Sequence, residues 1–259
     1  MARTYDSVYL SPHPDDVVFS CAGRIWLQVD QGASVLILTV TTGDPAGPLS
    51  PFARRLHARC GLELASLEIR RSEDFEAARM LGAEVLQLDL QDAIYRINPD
   101  TDKARYPRLR HLFGPLHPAD RDFSYVLARR LGELLPDCPE VVAPLGVGGH
   151  VDHRLVREAA ELSTSTPLLY YEEFPYAEKS RALDRILQPS SDWEPEIVSL
   201  PQEALTAKQA AALAYSSQID LIFGSTRRLQ RALQRRDRSV GGERYWRKKS
   251  SLRPGPGPA

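Results

Sequence analysis

The chain is expected to fold as an α/β protein around a doubly wound, mostly parallel β-sheet with helices on both faces. Three observations predict this. Short apolar runs alternate with helical patterns as far as Tyr171. The connections between those runs are long enough to join parallel strands. Two of the runs end in turns that carry histidine and aspartate, and strand ends are where open α/β sheets keep their chemistry.

Taken in order, residues 8–10 make a short first strand that runs into Ser11-Pro12-His13-Pro14-Asp15-Asp16, and residues 17–31 look helical. Residues 34–41 (SVLILTVT) are a continuous β-branched run, suited to a strand buried on both faces, and end in a loop at 42–48. Residues 62–81 form a long helical pattern with Leu64, Leu67, Phe75, Ala78 and Leu81 in register, and Gly82 stops it. Residues 84–89 are the next strand. The stretch 97–122 differs. It holds Pro99, Pro107, Pro115 and Pro118, carries Lys103, Arg105, Arg108, Arg110 and Arg121 after Arg96, and has little periodicity. A connection of that length inside a compact domain is functional or mobile. A helix at 123–135, a strand at 140–144, a glycine-rich turn at 145–152, a helix at 151–162 and a strand at 167–171 follow.

The remainder is more helical, with helices at 202–218 and 225–236. Its basic stretch, 227–249, is expected to be a solvated helix face, with an anionic ligand or partner as the rival reading. The Pro/Gly-rich residues 251–259 are expected to be a disordered tail, leaving 1–250 as a single domain.

Composition narrows the function. Lys+Arg 33 against Asp+Glu 34 leaves a net charge of −1, so no global basic field invites nucleic acid. No apolar run is long enough to span a membrane, and the N-terminus has no signal-peptide pattern. The cysteines Cys21, Cys60 and Cys138 are widely spaced and form no CxxC pair, which argues against a disulfide framework or a cysteine zinc site and fits the cytoplasm. Gly146-Val147-Gly148-Gly149 lacks the GxGxxG spacing, so no nicotinamide site is expected.

His13 and Asp16, three apart in a turn, can bind one ion. Catalytic zinc sites commonly use three protein ligands and keep a fourth position for water. The third ligand should come from Gly149-His150-Val151-Asp152-His153, the other histidine cluster at a strand's end, and either His150 or His153 could supply it. Such a site would hold Zn²⁺ and lower the pKa of a water toward roughly 7. Asp15 is then placed as general base. The remaining histidine is expected to be protonated and to face the developing oxyanion, with the Asp152 carboxylate orienting it. Alone, the first turn could be an Asx cap and the second pair surface histidines. Together, at two strand ends of one sheet, they make a metal site.

At these residues the chain resembles the LmbE-like / PIG-L family of zinc-dependent N-deacetylases. The first motif is His13-Pro14-Asp15-Asp16 with Cys21-Ala22-Gly23 in the helix that follows; the late motif is His150-Val151-Asp152-His153. Arg70-Arg71-Ser72-Glu73 with Ala77, Ala78, Leu81 and Gly82, and Lys208 with Ala212 and Ser217-Gln218, resemble the family's helix motifs. The resemblance implies a Rossmann-like fold, one Zn²⁺ held by His13, Asp16 and His153, Asp15 as base, His150 at the oxyanion with Asp152 as its partner, substrate contacts from Arg70 and Asp44, a small amino-sugar conjugate as substrate and a tendency to homo-oligomerise. Val17 stands where relatives often carry Glu, and Val151 where they carry Pro, so the substrate is not copied from them. A two-His-one-carboxylate Fe²⁺ enzyme and a non-catalytic sugar- or partner-binding module of the same fold are the rivals.

Overall fold

The computed structural model describes residues 4–59, 66–135, 138–179 and 181–249. The tail at 251–259, Cys60 and the expected helix start at 62–65 lie outside the described residues. Nine strands and ten helices follow one another among those described. In chain order they are β1 Ser7–Ser11, α1 Asp16–Asp30, β2 Val35–Thr39, α2 Pro51–Arg59, α3 Ser66–Leu81 and β3 Glu84–Gln87. A small hairpin, β4 Ile97–Asn98 and β5 Lys103–Ala104, precedes α4 Leu109–Leu112, α5 Phe123–Leu134, β6 Val141–Pro144, α6 Val151–Ser163 and β7 Leu169–Tyr171. The chain ends with α7 Ala182–Ile186, β8 Trp193–Val198, α8 Gln202–Leu213, α9 Ser216–Ile222, α10 Thr226–Val240 and β9 Glu243–Lys248.

Seven strands form one sheet in the order β3-β2-β1-β6-β7-β9-β8. The first five pair in parallel, and β9 and β8 add an antiparallel edge. Strand order reverses between β1 and β6, which pair through Val8↔Val141 and Tyr9↔Val142. A crevice opens at such a reversal, outside the carboxyl ends of the strands. The His13 and His150 turns leave β1 and β6 there, so two motifs far apart in sequence meet.

Alternation along β1 divides the core. Val8 and Leu10 face α5 and α6, packing with Leu127, Leu131 and Val156. Tyr9 faces the other side, where Phe19, Ala78, Ala212 and Leu229 bring α1, α3, α8 and α10 together. A third cluster, with Phe52, Leu67, Ile94, Tyr106 and Leu112, lies under the 97–122 segment. That segment is therefore a packed flap with its own small core. Asp120, buried within it, binds Arg96 at 3.3 Å, Tyr106 Oη at 2.6 Å and Arg105.

Three expectations need correcting. Phe75 does not join the buried face of α3; it is exposed, and Leu67, Ala77, Ala78 and Leu81 form that face with the buried Asp74. The helix expected at 202–218 is two helices, because Glu73 accepts from Ser217 N–H at 2.8 Å and from the Ser216 and Ser217 hydroxyls, which starts α9 afresh. The basic C-terminal stretch is not merely a solvated face. Its last part is β9, and Arg236, Arg244 and Trp246 all donate to the buried Glu172.

Candidate active site

The first turn is built so that Asp15 caps nothing. Ser11 Oγ accepts from Val17 N–H at 3.2 Å, taking the place of an N-cap side chain at the start of α1, and donates to His13 O at 2.6 Å. Asp16 Oδ2 accepts from His13 N–H at 2.9 Å. Asp15 adopts φ 109°, a backbone region that side-chain-bearing residues rarely occupy. Strain of that kind costs on the order of 1–3 kcal/mol and persists where the surroundings over-determine it. Here it turns the Asp15 carboxylate into the crevice.

The second turn is held by Glu173, which follows β7. Its carboxylate accepts from Gly146 N–H at 2.7 Å and Val147 N–H at 3.1 Å, and from His153 Nδ1 at 3.1 Å. Gly146, Gly148 and Gly149 take positive φ, and a Cβ on Gly148 would press on the Tyr176 ring at 3.0 Å. One carboxylate thus shapes the glycine turn and fixes the imidazole that follows it. Nothing in the sequence Tyr170-Tyr171-Glu172-Glu173 shows which carboxylate turns inward.

His13 and His153 share one arrangement. His13 Nε2 donates to Asp152 Oδ2 at 3.1 Å, leaving Nδ1 3.0 Å from Asp16 Oδ2. His153 Nδ1 donates to Glu173, leaving Nε2 3.3 Å from the same Asp16 oxygen, buried and without a hydrogen-bond partner. Each imidazole gives one nitrogen to a carboxylate and aims the other at a common point, the pattern of metal-ligating histidines. The ring donors of His13, His150 and His153 lie within 4.8 Å of one another. The residues present therefore fit a divalent cation.

Electrostatics agree. The carboxylates of Asp15, Asp16, Asp92, Asp152 and Glu173 surround the imidazoles, answered only in part by Arg70 and Arg96. Burial works against protonating His13, but Asp92, Asp152 and Asp16 outweigh it and raise that imidazole well above its ordinary value. Burial likewise opposes protonation of His153, but Asp16 and Glu173 raise it to about 9. A site that draws protons onto its histidines is one that favours a cation. Asp16 resists burial through His153 and His13 and stays well below the carboxylate range. Burial, together with neighbouring Asp16, pushes Asp15 up to about 8.

Two expected relationships run differently. The Asp152 carboxylate does not orient His150. It bonds His13, the Ala93 N–H at 3.0 Å and the Arg96 guanidinium at 2.6 Å; only its backbone N–H reaches His150, donating to Nδ1 at 3.3 Å. Nor is His150 held as a cation. Burial, then the charge of His13, lowers it to about 3. With Nδ1 accepting a hydrogen bond, the neutral ring carries its proton on Nε2.

Arg70, on α3, lines the cavity and braces the first turn, donating to Pro14 O at 3.2 Å with its guanidinium 3.8 Å from Asp15. Asp44 is not brought to the site. Its side chain is 72% exposed, does not line the cavity and pairs with Arg71. Sequence reading missed Asp92, which lines the cavity 3.7 Å from His13 Nε2, and Arg96, which ties Asp152 to the flap. His57, outside every motif, also lines the cavity and bonds Tyr95 Oη at 2.7 Å. Asp92 follows a strand on the same sheet edge, which was the available signal. His57 and Arg96 had none.

The model of the PIG-L family, GlcNAc-PI de-N-acetylase, matches residues 8–163. A 2'-N-acetylparomamine deacetylase of Niallia circulans is 32% identical over 243 residues, 84% of this chain and 82% of the relative. A second, from Streptomyces fradiae, is 34% identical over 185 residues, 69% of this chain and 60% of its own length. Among solved structures, the zinc-inhibited form of teicoplanin deacetylase Orf2 is similar at a TM-score of 0.81 and 27% identity, covering 95% of this chain and 99% of that one. The A40926 pseudoaglycone deacetylase Dbv21 gives 0.72 and 26%, covering 95% and 97%.

Proposed function

This chain belongs to the PIG-L (LmbE-like) family, and we propose that it is a metal-dependent N-deacetylase acting on an N-acetylated amino-sugar conjugate. The observation that carries this reading is the convergence of His13 Nδ1 and His153 Nε2 on one oxygen of Asp16, beside a carboxylate that caps nothing. Zn²⁺ suits two imidazoles and a carboxylate, His13, Asp16 and His153, and when bound supplies Lewis-acid charge at a carbonyl and makes a water acidic near neutral pH.

The remaining roles belong to the chain's own groups. Asp15 takes a proton from the attacking water; its environment already holds it nearer neutrality than an ordinary carboxyl. The oxygen of the water bonds the acetamide carbon, and the carbonyl oxygen gains negative charge. His150 donates its Nε2–H to that oxygen as a neutral imidazole. The C–N bond then breaks, and the amine leaves with the proton that Asp15 carries, since a neutral His150 is a weak acid. Asp152 and Glu173 fix the orientation of His13 and His153. Arg70 steadies the Asp15 turn and contacts substrate.

Metal analysis of the protein purified without added metal, with acetate release measured from N-acetylglucosamine conjugates, tests the reading. About one zinc per chain with acetate release supports it. Bound iron with oxygen consumption, or no release from any N-acetyl sugar, would remove it.

A further inference from the structure

The floor of the cavity accounts for the acetamide. Its mouth faces the rest of the substrate. Building on the deacetylase reading, we propose that the mouth selects conjugates whose N-acetyl sugar carries an apolar, aromatic aglycone bearing an anionic group, and that it disfavours polycationic aglycones.

Apolar surface is the first support. Leu56 from α2, Leu109 and Leu112 from α4, Phe113 just after it, and Leu221 and Ile222 from α9 converge on one opening. Leu109 is 55% exposed and Ile222 38%. Large apolar side chains left exposed by two separate elements, α4 and α9, and joined around one cavity by the half-buried Leu56, Phe113 and Leu221, mark a ligand surface, whereas single exposed ones need no explanation. A free sugar, which presents hydroxyls, would recover little from covering them. The cavity holds roughly 440 Å³, within the range that encloses a drug-sized ligand, which leaves room beside a sugar ring.

The distribution of charge is the second. Among the described residues, the carboxylates lining the cavity are Asp15, Asp16 and Asp92, all buried on the floor. Asp16 is committed to His13 and His153, and Asp92 accepts from Ile94 N–H at 3.0 Å. The charged side chains at the mouth are Arg59 and Lys179, both exposed. Lys179 Nζ lies 5.7 Å from the centre of the Phe113 ring and 5.3 Å from that of Tyr176, so a cation stands over the aromatic wall of the opening. An aglycone lying on that wall would bring an anionic substituent to Lys179. One with ammonium groups would meet two cations, and no carboxylate at the mouth among the described residues.

The test compares kcat/KM for acetate release by metal-loaded protein from three probes: 4-carboxyphenyl N-acetylglucosaminide, free N-acetylglucosamine and 2'-N-acetylparomamine as the polyamine. In parallel, calorimetry measures binding of the deacetylated 4-carboxyphenyl glucosaminide, which needs no turnover. The aryl probe should exceed both others by about tenfold or more, the scale of burying one ring. Lys179→Glu should raise KM for the aryl probe and lower it for the polyamine, with kcat little changed. Equal kcat/KM for the three probes, preference for the polyamine, or an order unmoved by Lys179→Glu overturns the proposed selectivity and leaves deacetylation standing. Binding of the aryl product without acetate release from any probe supports the mouth and removes the deacetylase reading. Neither binding nor release overturns both.

Discussion

The floor and the mouth of this cavity are built by opposite means. On the floor, the chemical groups are backed by second groups: Asp152 behind His13, Glu173 behind His153, Ser11 relieving Asp15 of capping. At the mouth, Leu109 and Phe113 of α4 and its C-terminal end face Ile222 of α9 around one opening. Bond-making chemistry tolerates little displacement of its groups, so it is placed where backbone, hydrogen bonds and burial all agree. Selection among conjugates works through apolar contact, which tolerates exchange of one side chain for another. Substitutions on the floor should therefore act on kcat or on the metal, and substitutions at the mouth on KM.

The largest effect expected is that of Asp15→Asn. It keeps the shape of the turn and removes the proposed base, so kcat should fall by about 10²–10⁴-fold while metal content stays at the wild-type level. Unchanged kcat would show that another group handles the proton. The same variant has a signature in the metal-free protein. Asp15 is raised from 3.8 to about 8 by folding, so between those values the folded state holds a proton that the unfolded state has released. Stability then falls as pH rises through that window. Asp15→Asn removes this slope, so its Tm should exceed that of the wild type at pH 8 and match it near pH 4.

Next is the joint between floor and flap. Arg96 is buried, with its guanidinium 2.6 Å from Asp152 and 3.3 Å from Asp120. Removing one partner of a buried ion pair leaves the other charge stranded, at about 3–5 kcal/mol. Arg96→Gln should lower Tm accordingly and speed hydrogen exchange in residues 97–122. A variant that lost stability with no faster exchange in the flap would show that Arg96 supports the floor alone. At the mouth, Phe113→Ala should raise KM for aryl conjugates by about tenfold and leave kcat within twofold. A fall in kcat instead would place the ring in the chemistry.

The same division explains what could be read from the sequence. The strand-turn-helix around His13 and the glycine turn before His150 were legible because local rules write them: an apolar run, proline and glycine at turns, ligand-type side chains at short spacing. The reversal of strand order that joins them follows from the alternation of elements. Asp152 and Glu173 were visible as residues, but not in their roles. Which nitrogen of which imidazole a carboxylate meets depends on helix placement, and Asp152 turns away from its near neighbour His150 toward His13. The flap was least legible. Its order comes from Asp120 gathering Arg96, Arg105 and Tyr106, a set of pairings with no periodicity to announce it. In the antiparallel edge, β9 was hidden under basic residues, Arg244, Arg247 and Lys248, whose charges are taken up by Glu172, Glu196 and Glu161.

Asp44 gives the smallest effect and the cleanest limit on carrying a role from motif to position. It follows β2 in the loop where resemblance placed a sugar contact. In the fold its carboxylate lies in solvent against Arg71, and Gln91 donates to its backbone oxygen at 2.9 Å. An exposed pair of this kind contributes about 0–1 kcal/mol. Asp44→Ala should therefore leave kcat and KM within about twofold of wild type and move Tm only slightly. Asp92, at the end of the neighbouring strand and inside the cavity, is the contrasting position: Asp92→Ala should raise KM where Asp44→Ala does not. If KM responded to Asp44 and ignored Asp92, the sugar would enter over the β2 loop, and the boundary drawn between floor and mouth would have to move.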